Sequence, residues 1–293
     1  MHQFIPFLII AAVVLLAIIV VHIFRYRIAG KGLRSPFTQK RERFPGQGLL
    51  KRLDELNEEV CIQAASLLGV PMTIYAAYVS YLYVDQRPFN LTEAIAAAAI
   101  AVVFMGYTVF KLFGFLNERR RVRLGCEGEM IVGQALNQLM LQGYHVYHDF
   151  PAERFNINHI VVGAKGVFAV ETKTRSKRTT ANRQEDATVE YDGRALHFPN
   201  GTDIEMIAQA KGQSKWLAGW LSRAVGEELT VRAVLALPGW FVKRTAAQGM
   251  PVVNPKQFDS LFAHIPPRPL TADMITRITH QLDQKCHDIE PQA

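Results

Sequence analysis

Residues Phe4 to Phe24 form a run of 21 positions without an Asp, Glu, Lys or Arg. A hydrocarbon core about 30 Å thick is crossed by about 20 helical residues, so this run predicts a membrane-spanning helix at about 4–24. A secretory leader has a basic start and a shorter apolar core before a small-x-small cleavage site. Here the chain opens Met1-His2-Gln3 and no such site follows, which predicts an uncleaved anchor.

Two further uncharged runs follow. One extends from Cys61 to Val84, interrupted by Gln63 and Pro71; the other extends from Ala94 to Leu116 with Lys111 as its one charge. Tyr75, Tyr78, Tyr81 and Tyr83 crowd the end of the second run, as interfacial aromatic residues do. Lys111 lies near the end of the third, where its ammonium can reach the headgroups. The expectation is three spans, at about 4–24, 61–84 and 94–116, within a membrane region 1–117. A pair of buried soluble helices is the competing reading for the last two.

Charge orients these spans. Seven Lys/Arg and one acid lie between Arg25 and Arg43, and Arg119, Arg120, Arg121 and Arg123 follow the third run. Basic loops stay on the cytoplasmic side. The N-terminus is therefore expected outside, and loop 25–60 and everything after about residue 117 in the cytoplasm, in a multi-pass inner-membrane protein. The formal charge of +7 belongs to the same region: residues 1–124 hold 15 Lys/Arg and 8 Asp/Glu, whereas 125–293 hold 18 of each. Whole-chain basicity thus speaks of topology and lipid rather than of nucleic acid. Cys61, Cys126 and Cys286 lie far apart and outside any metal-binding spacing, which excludes a disulfide scaffold or zinc module.

Residues 118–293 are long enough for one domain with its own core. Apolar spacing predicts a helix over Glu127–Gln142, stopped at Gly143. Strands are expected at 144–150, 157–162 and 167–173, the last two joined through Gly163-Ala-Lys-Gly166. A hairpin over Thr188–Phe198 turns at Asp192-Gly193. Helices at 204–224 and 272–287 enclose a strand at 231–237. This order predicts an α/β fold, a mixed sheet flanked by helices.

The chemistry concentrates in Val167-Phe-Ala-Val-Glu171-Thr172-Lys173. Side chains alternate along a strand, so Glu171 and Lys173 share a face at the end of an otherwise apolar strand. A buried charged pair requires a partner, a metal or water. Glu171 and the Thr172 backbone carbonyl offer hard oxygen donors suited to Mg²⁺, and Lys173 would orient a water or stabilise developing charge. Further ligands are sought at Glu129, with Glu127 as its competitor, and on the adjacent strand at Asn158. A structural ion pair at a strand end is the competing reading.

Gly125-x-x-Gly128-Glu129, Tyr147-His-Asp149, Asn158-His-Ile-Val-Val-Gly163 and Gly166-Val-Phe-Ala-Val-Glu171-Thr-Lys173 occur in order. This ordered set resembles the nuclease-related domain (NERD), which is similar to the PD-(D/E)xK endonucleases, over about residues 121–222. The resemblance implies a restriction-endonuclease-like fold, and Mg²⁺- or Mn²⁺-dependent hydrolysis of DNA. It assigns Glu129 to the helix acid, Glu171 and Lys173 to the signature pair, and Gln209 to a later glutamine near the site. Asn158 stands where the pattern has Asp, which removes a negative charge. Asp149 is a neighbouring acid positioned to compensate. Arg175, Lys177, Arg178 and Arg183 form a basic strip after the signature, suited to a phosphate backbone. The alternative is a degenerate nuclease fold that binds nucleic acid or a protein partner at the membrane without cutting. His159 is expected to face away from Asn158, and Trp216 and Trp220, four apart on a helix, to pack in a core or interface.

Overall fold

The computed structural model describes residues 41–84, 86–177 and 187–288. The first predicted span, Arg178 and Arg183 lie outside these residues. The chain forms two compact units, one containing Glu55–Arg119 and the other Lys40–Asp54 together with Arg120–Ala293.

Two long helices run through the first unit: α1 (Gln47–Val84) and α2 (Leu91–Asn137). Both are long and apolar enough to cross a membrane. Leu68, Met72, Tyr75, Val103 and Phe110 are exposed on them. Asn90 caps α2 by accepting from the Thr92 amide at 2.9 Å. Arg119 Nε donates to Asn57 Oδ1 at 2.6 Å.

Both helices exceed their predicted lengths. The apolar run expected at 94–116 and the domain helix expected from Glu127 are one continuous α2. No proline interrupts residues 111–127, and the Arg-rich stretch between them has high helix propensity. A 3₁₀ turn, Gln138–Gln142, follows, and Gly143 stops it at φ +83°, the left-handed conformation glycine adopts readily.

In the second unit, strands β2 (His145–Pro151), β3 (Asn156–Gly163), β4 (Gly166–Thr172), β8 (Val231–Ala236) and β10 (Val252–Val253) form a sheet of order β10-β8-β4-β3-β2. Its β2-β3 and β3-β4 pairs are antiparallel, and β4-β8 and β8-β10 are parallel. Between β4 and β8 come β5 (Thr188–Tyr191), β6 (Leu196–Phe198), β7 (Gly201–Asp203) and helix α3 (Glu205–Val225). With β9 (Phe241–Arg244), the three small strands make a second mixed sheet, β7-β6-β5-β9. The fold is thus α/β with two mixed sheets where one was expected. The predicted hairpin is β5-β6: Asp192 Oδ1 accepts from the Arg194 and Ala195 amides at 2.8 and 2.7 Å, and Gly193 takes φ +89°.

Helices α4 (Phe258–His264) and α5 (Ala272–Cys286) complete the layers. On one sheet face, Phe150, Ile160 and Val162 pack against Leu217 and Leu221 of α3 and Ile278 and Leu282 of α5. On the other, Val161 and Phe168 meet Val132 and Leu136 of the α2 end, Leu139 of the 3₁₀ turn, and Phe258 and Phe262 of α4. Removing apolar area at about 25 cal/mol per Å² makes these two faces the main stabilising contribution. Trp216 and Trp220 stack at 6.4 Å and pack beside Phe150 in the first core. A two-residue strand β1 (Arg41–Glu42) pairs with β11 (His287–Asp288).

Candidate active site

The site forms where three strands end side by side. The β2-β3 register runs His148↔His159 and Phe150↔Ile157 and passes over Asp149 and Asn158. The β3-β4 register, His159↔Val170, sets Asn158 opposite Glu171 when continued by one step. Directly opposed residues in a ladder share a face. Asn158 and Glu171 therefore form a row across β3 and β4. Asp149 takes φ +47°, a left-handed conformation in which Asp is enriched, and interrupts the ladder there.

Glu171 is buried at 2% exposure in the middle of this arrangement. Its Oε1 accepts from Gln209 Nε2 at 2.8 Å and lies 3.0 Å from Lys173 Nζ. Its Oε2 is buried without a hydrogen-bond partner among the described residues. Burial pushes the carboxyl pKa up, while the Lys173 ammonium opposes that shift.

Glu129 reaches the row from α2. Asn158 Nδ2 donates to Glu129 Oε1 at 2.7 Å, and Asn158 Oδ1 accepts from the Thr172 amide at 2.9 Å. The amide oxygen of Asn158 thus anchors the end of β4 while its nitrogen addresses the acid. Burial first, then the negative charges of Asp149 and Glu171, push the Glu129 pKa up to about 8. Glu127, its competitor, is exposed and pairs with Arg123 at 2.9 Å on the helix surface. Gly128 lets α2 approach the segment that follows β4: a Cβ at that position would lie 2.0 Å from Thr174 Cγ2.

On the opposite sheet face, His159 is fully buried and its Nε2 pairs with Thr172 Oγ1 at 3.1 Å. Its Nδ1 faces His148 Nδ1 at 2.9 Å, and His148 Nε2 pairs with Asn137 Oδ1 at 2.9 Å. Burial lowers the His148 pKa to about 4 and holds His159 well below the usual range. These neutral imidazoles brace the reverse side of the strand ends.

The basic strip begins at the rim. The Arg175 guanidinium lies over the Phe198 ring at 4.5 Å and Lys177 Nζ over Trp240 at 5.6 Å. Trp240 Nε1 donates to the Arg175 carbonyl at 3.2 Å, so the second sheet braces this segment.

Of the predicted residues, Glu129, Asn158, Glu171, Thr172, Lys173 and Gln209 are brought together. Asp149 is committed elsewhere: its Oδ2 accepts from Arg43 Nη1 at 3.3 Å and from the Gly48 amide at 3.1 Å, and its Oδ1 from Asn156 Nδ2 at 2.9 Å. Arg43, Gly48 and Gln213, which bears on Glu171, are additional residues that the sequence reading did not single out. A basic residue ahead of a helix start carries no local signal of a partner about a hundred residues away. Among the described residues no group of three or more His, Cys, Asp or Glu is placed to hold a metal ion. Two carboxylates, Glu129 and Glu171, lie there with the Asn158 and Gln209 amides.

Residues 124–238 match the model of the nuclease-related domain, and the remainder of the chain lies outside the match. No curated protein and no solved structure matches the chain.

Proposed function

We propose that this chain is a membrane-anchored, Mg²⁺- or Mn²⁺-dependent nuclease whose cytoplasmic domain hydrolyses DNA phosphodiester bonds. One observation carries the reading. Glu171 gives one oxygen to Gln209 and Lys173 and keeps the other buried and open. An ion pair retained only for structure has no use for an open oxygen, since an unsatisfied buried acceptor costs about 1–3 kcal/mol. A hard cation placed there turns that cost into binding.

The donor set fits such an ion. Mg²⁺ characteristically binds through one or two carboxylates together with substrate phosphates and waters. Glu129 and Glu171 would supply the carboxylates, with Asn158 and the Thr172 carbonyl as further oxygen donors. A divalent ion held by these residues would supply Lewis-acid polarisation of a phosphoryl oxygen and lower the pKa of an attacking water. Lys173 holds positive charge beside the reacting phosphate, and Gln209, exposed at the rim, steadies Glu171 and reaches a phosphate or water. Arg175 and Lys177, with Arg178 and Arg183 of the same run, would track the nucleic-acid backbone. Two exposed apolar helices support anchoring in a bilayer, and the basic flanks support a cytoplasmic domain.

The full chain in detergent is expected to nick supercoiled plasmid in Mg²⁺ or Mn²⁺ and to stop on chelation. Chelator-resistant nicking would contradict the metal-dependent assignment.

One observation favours a second reading, a binding module that does not cut: Asn158 turns its nitrogen towards Glu129. Asn158→Asp separates the two. It places a negative charge beside Glu129, and the nuclease reading expects at least about a tenfold gain in nicking, equivalent to roughly 1.4 kcal/mol of barrier. DNA retention without cleavage by either protein supports the binding module.

A further inference from the structure

Helix α3 presents a second glutamine to the signature carboxylate. Gln209 and Gln213 are four residues apart, so they lie on one helix face, but at different depths. Gln209 is exposed at the rim, whereas Gln213 is only 5% exposed. The Gln213 amide bears on the Glu171 carboxylate from within the core, opposing the effect of burial. Its Oε1 has no hydrogen-bond partner among the described residues. Two buried acceptors, Glu171 Oε2 and Gln213 Oε1, thus remain open in one neighbourhood.

Packing gives no reason for this. Gln213 lies between Ala210 and Leu217, both buried in apolar clusters, where an unbranched apolar side chain would fill similar space without an unsatisfied oxygen. A buried polar atom without a partner destabilises the fold. Such a cost persists where the group serves a function.

We propose that Gln213 is a positioning residue for Glu171: with Gln209 it clamps the carboxylate so that Oε2 stays directed at a divalent cation, and its own open oxygen accepts from a water of the hydrated ion. This rests on the metal-dependent reading of the site. Groups of this kind, acting through a ligand, typically contribute about 10–100-fold to metal affinity.

The test compares the full chain in detergent with Gln213→Met, which keeps length and removes both polar atoms, and Gln213→Leu as a second apolar replacement. Thermal melting without metal and Mn²⁺ half-saturation, from the free-ion paramagnetic signal, are read on each. The proposal expects a melting temperature equal to or above that of the parent, with half-saturation raised about tenfold or more. Half-saturation within twofold of the parent in a folded variant overturns it. So does a lowered melting temperature in both variants, the mark of a structural role. A parent that binds Mn²⁺ but cuts no DNA sinks the nuclease reading while Gln213 is still decided by binding. A parent that binds no Mn²⁺ overturns both.

Discussion

On the proposed metal-dependent function, Glu129 would tie the site's affinity for a divalent ion to pH. With its pKa pushed up to about 8 by burial and by the charges of Asp149 and Glu171, it is protonated at neutral pH in the absence of a cation. A divalent ion must displace that proton to use the carboxylate. Affinity for Mn²⁺ should therefore rise by up to about tenfold per pH unit below pH 8 and level off above it. A titration series from pH 6 to 9 checks this, and Glu129→Gln should flatten the slope. A slope unchanged in Glu129→Gln would assign the proton elsewhere. Asn158→Asp acts on the same electrostatics from the neighbouring strand, by adding a charge where the present amide supplies only a dipole.

At the scale of elements, close approach between helix and segment holds the site in place. Gly133 of α2 faces Pro45: a Cβ there would lie 2.2 Å from the Pro45 Cγ and 2.7 Å from its Cβ. Gly133→Ala would gain about 0.5–1 kcal/mol of helix propensity. Against that, overpacking costs typically about 1–3 kcal/mol, and a proline ring cannot rotate away. The expected net effect is destabilisation by about 1–2 kcal/mol in a chemical-denaturation midpoint, with the Arg43–Gly48 segment displaced. Stabilisation would mean that this segment yields without cost.

Elements with a local pattern were legible in the sequence. Strands β2, β3 and β4, the β5-β6 hairpin, α3, β8 and α5 each carry apolar alternation, helical periodicity or a turn signal. The Glu171/Lys173 pair followed from strand alternation alone. Strands β7, β9 and β10 have four residues or fewer and owe their existence to partners distant in sequence. The continuity of α2 was hidden because a basic stretch marks a membrane boundary without ending a helix. Gln213 has the same residue type as its exposed neighbour Gln209, and only burial against Glu171 distinguishes it.

For the whole molecule, the domain that carries the site is discontinuous in sequence. Lys40–Asp54 group with Arg120–Ala293, and Arg43 and Gly48 hold Asp149. A fragment beginning at residue 118 lacks these groups, and leaves a buried carboxylate short of an ion pair and a backbone donor. Removing one partner of a buried pair costs about 3–5 kcal/mol. The fragment should melt well below the full chain in detergent, and equal melting temperatures would show that the segment is dispensable. In cells the full chain should remain in the membrane pellet through an alkaline carbonate wash, whereas release into the supernatant would oppose an integral anchor.

The proposed function rests on a metal ion held by Glu171 for phosphodiester hydrolysis. Plasmid nicking in Mg²⁺ by the full chain and by Glu171→Gln, which keeps the shape of the side chain and removes its charge, tests this. Metal-dependent nicking is expected of the parent, and a loss of at least about 100-fold, roughly 2.7 kcal/mol or more of transition-state stabilisation, of the variant. Equal nicking by the two proteins would contradict it.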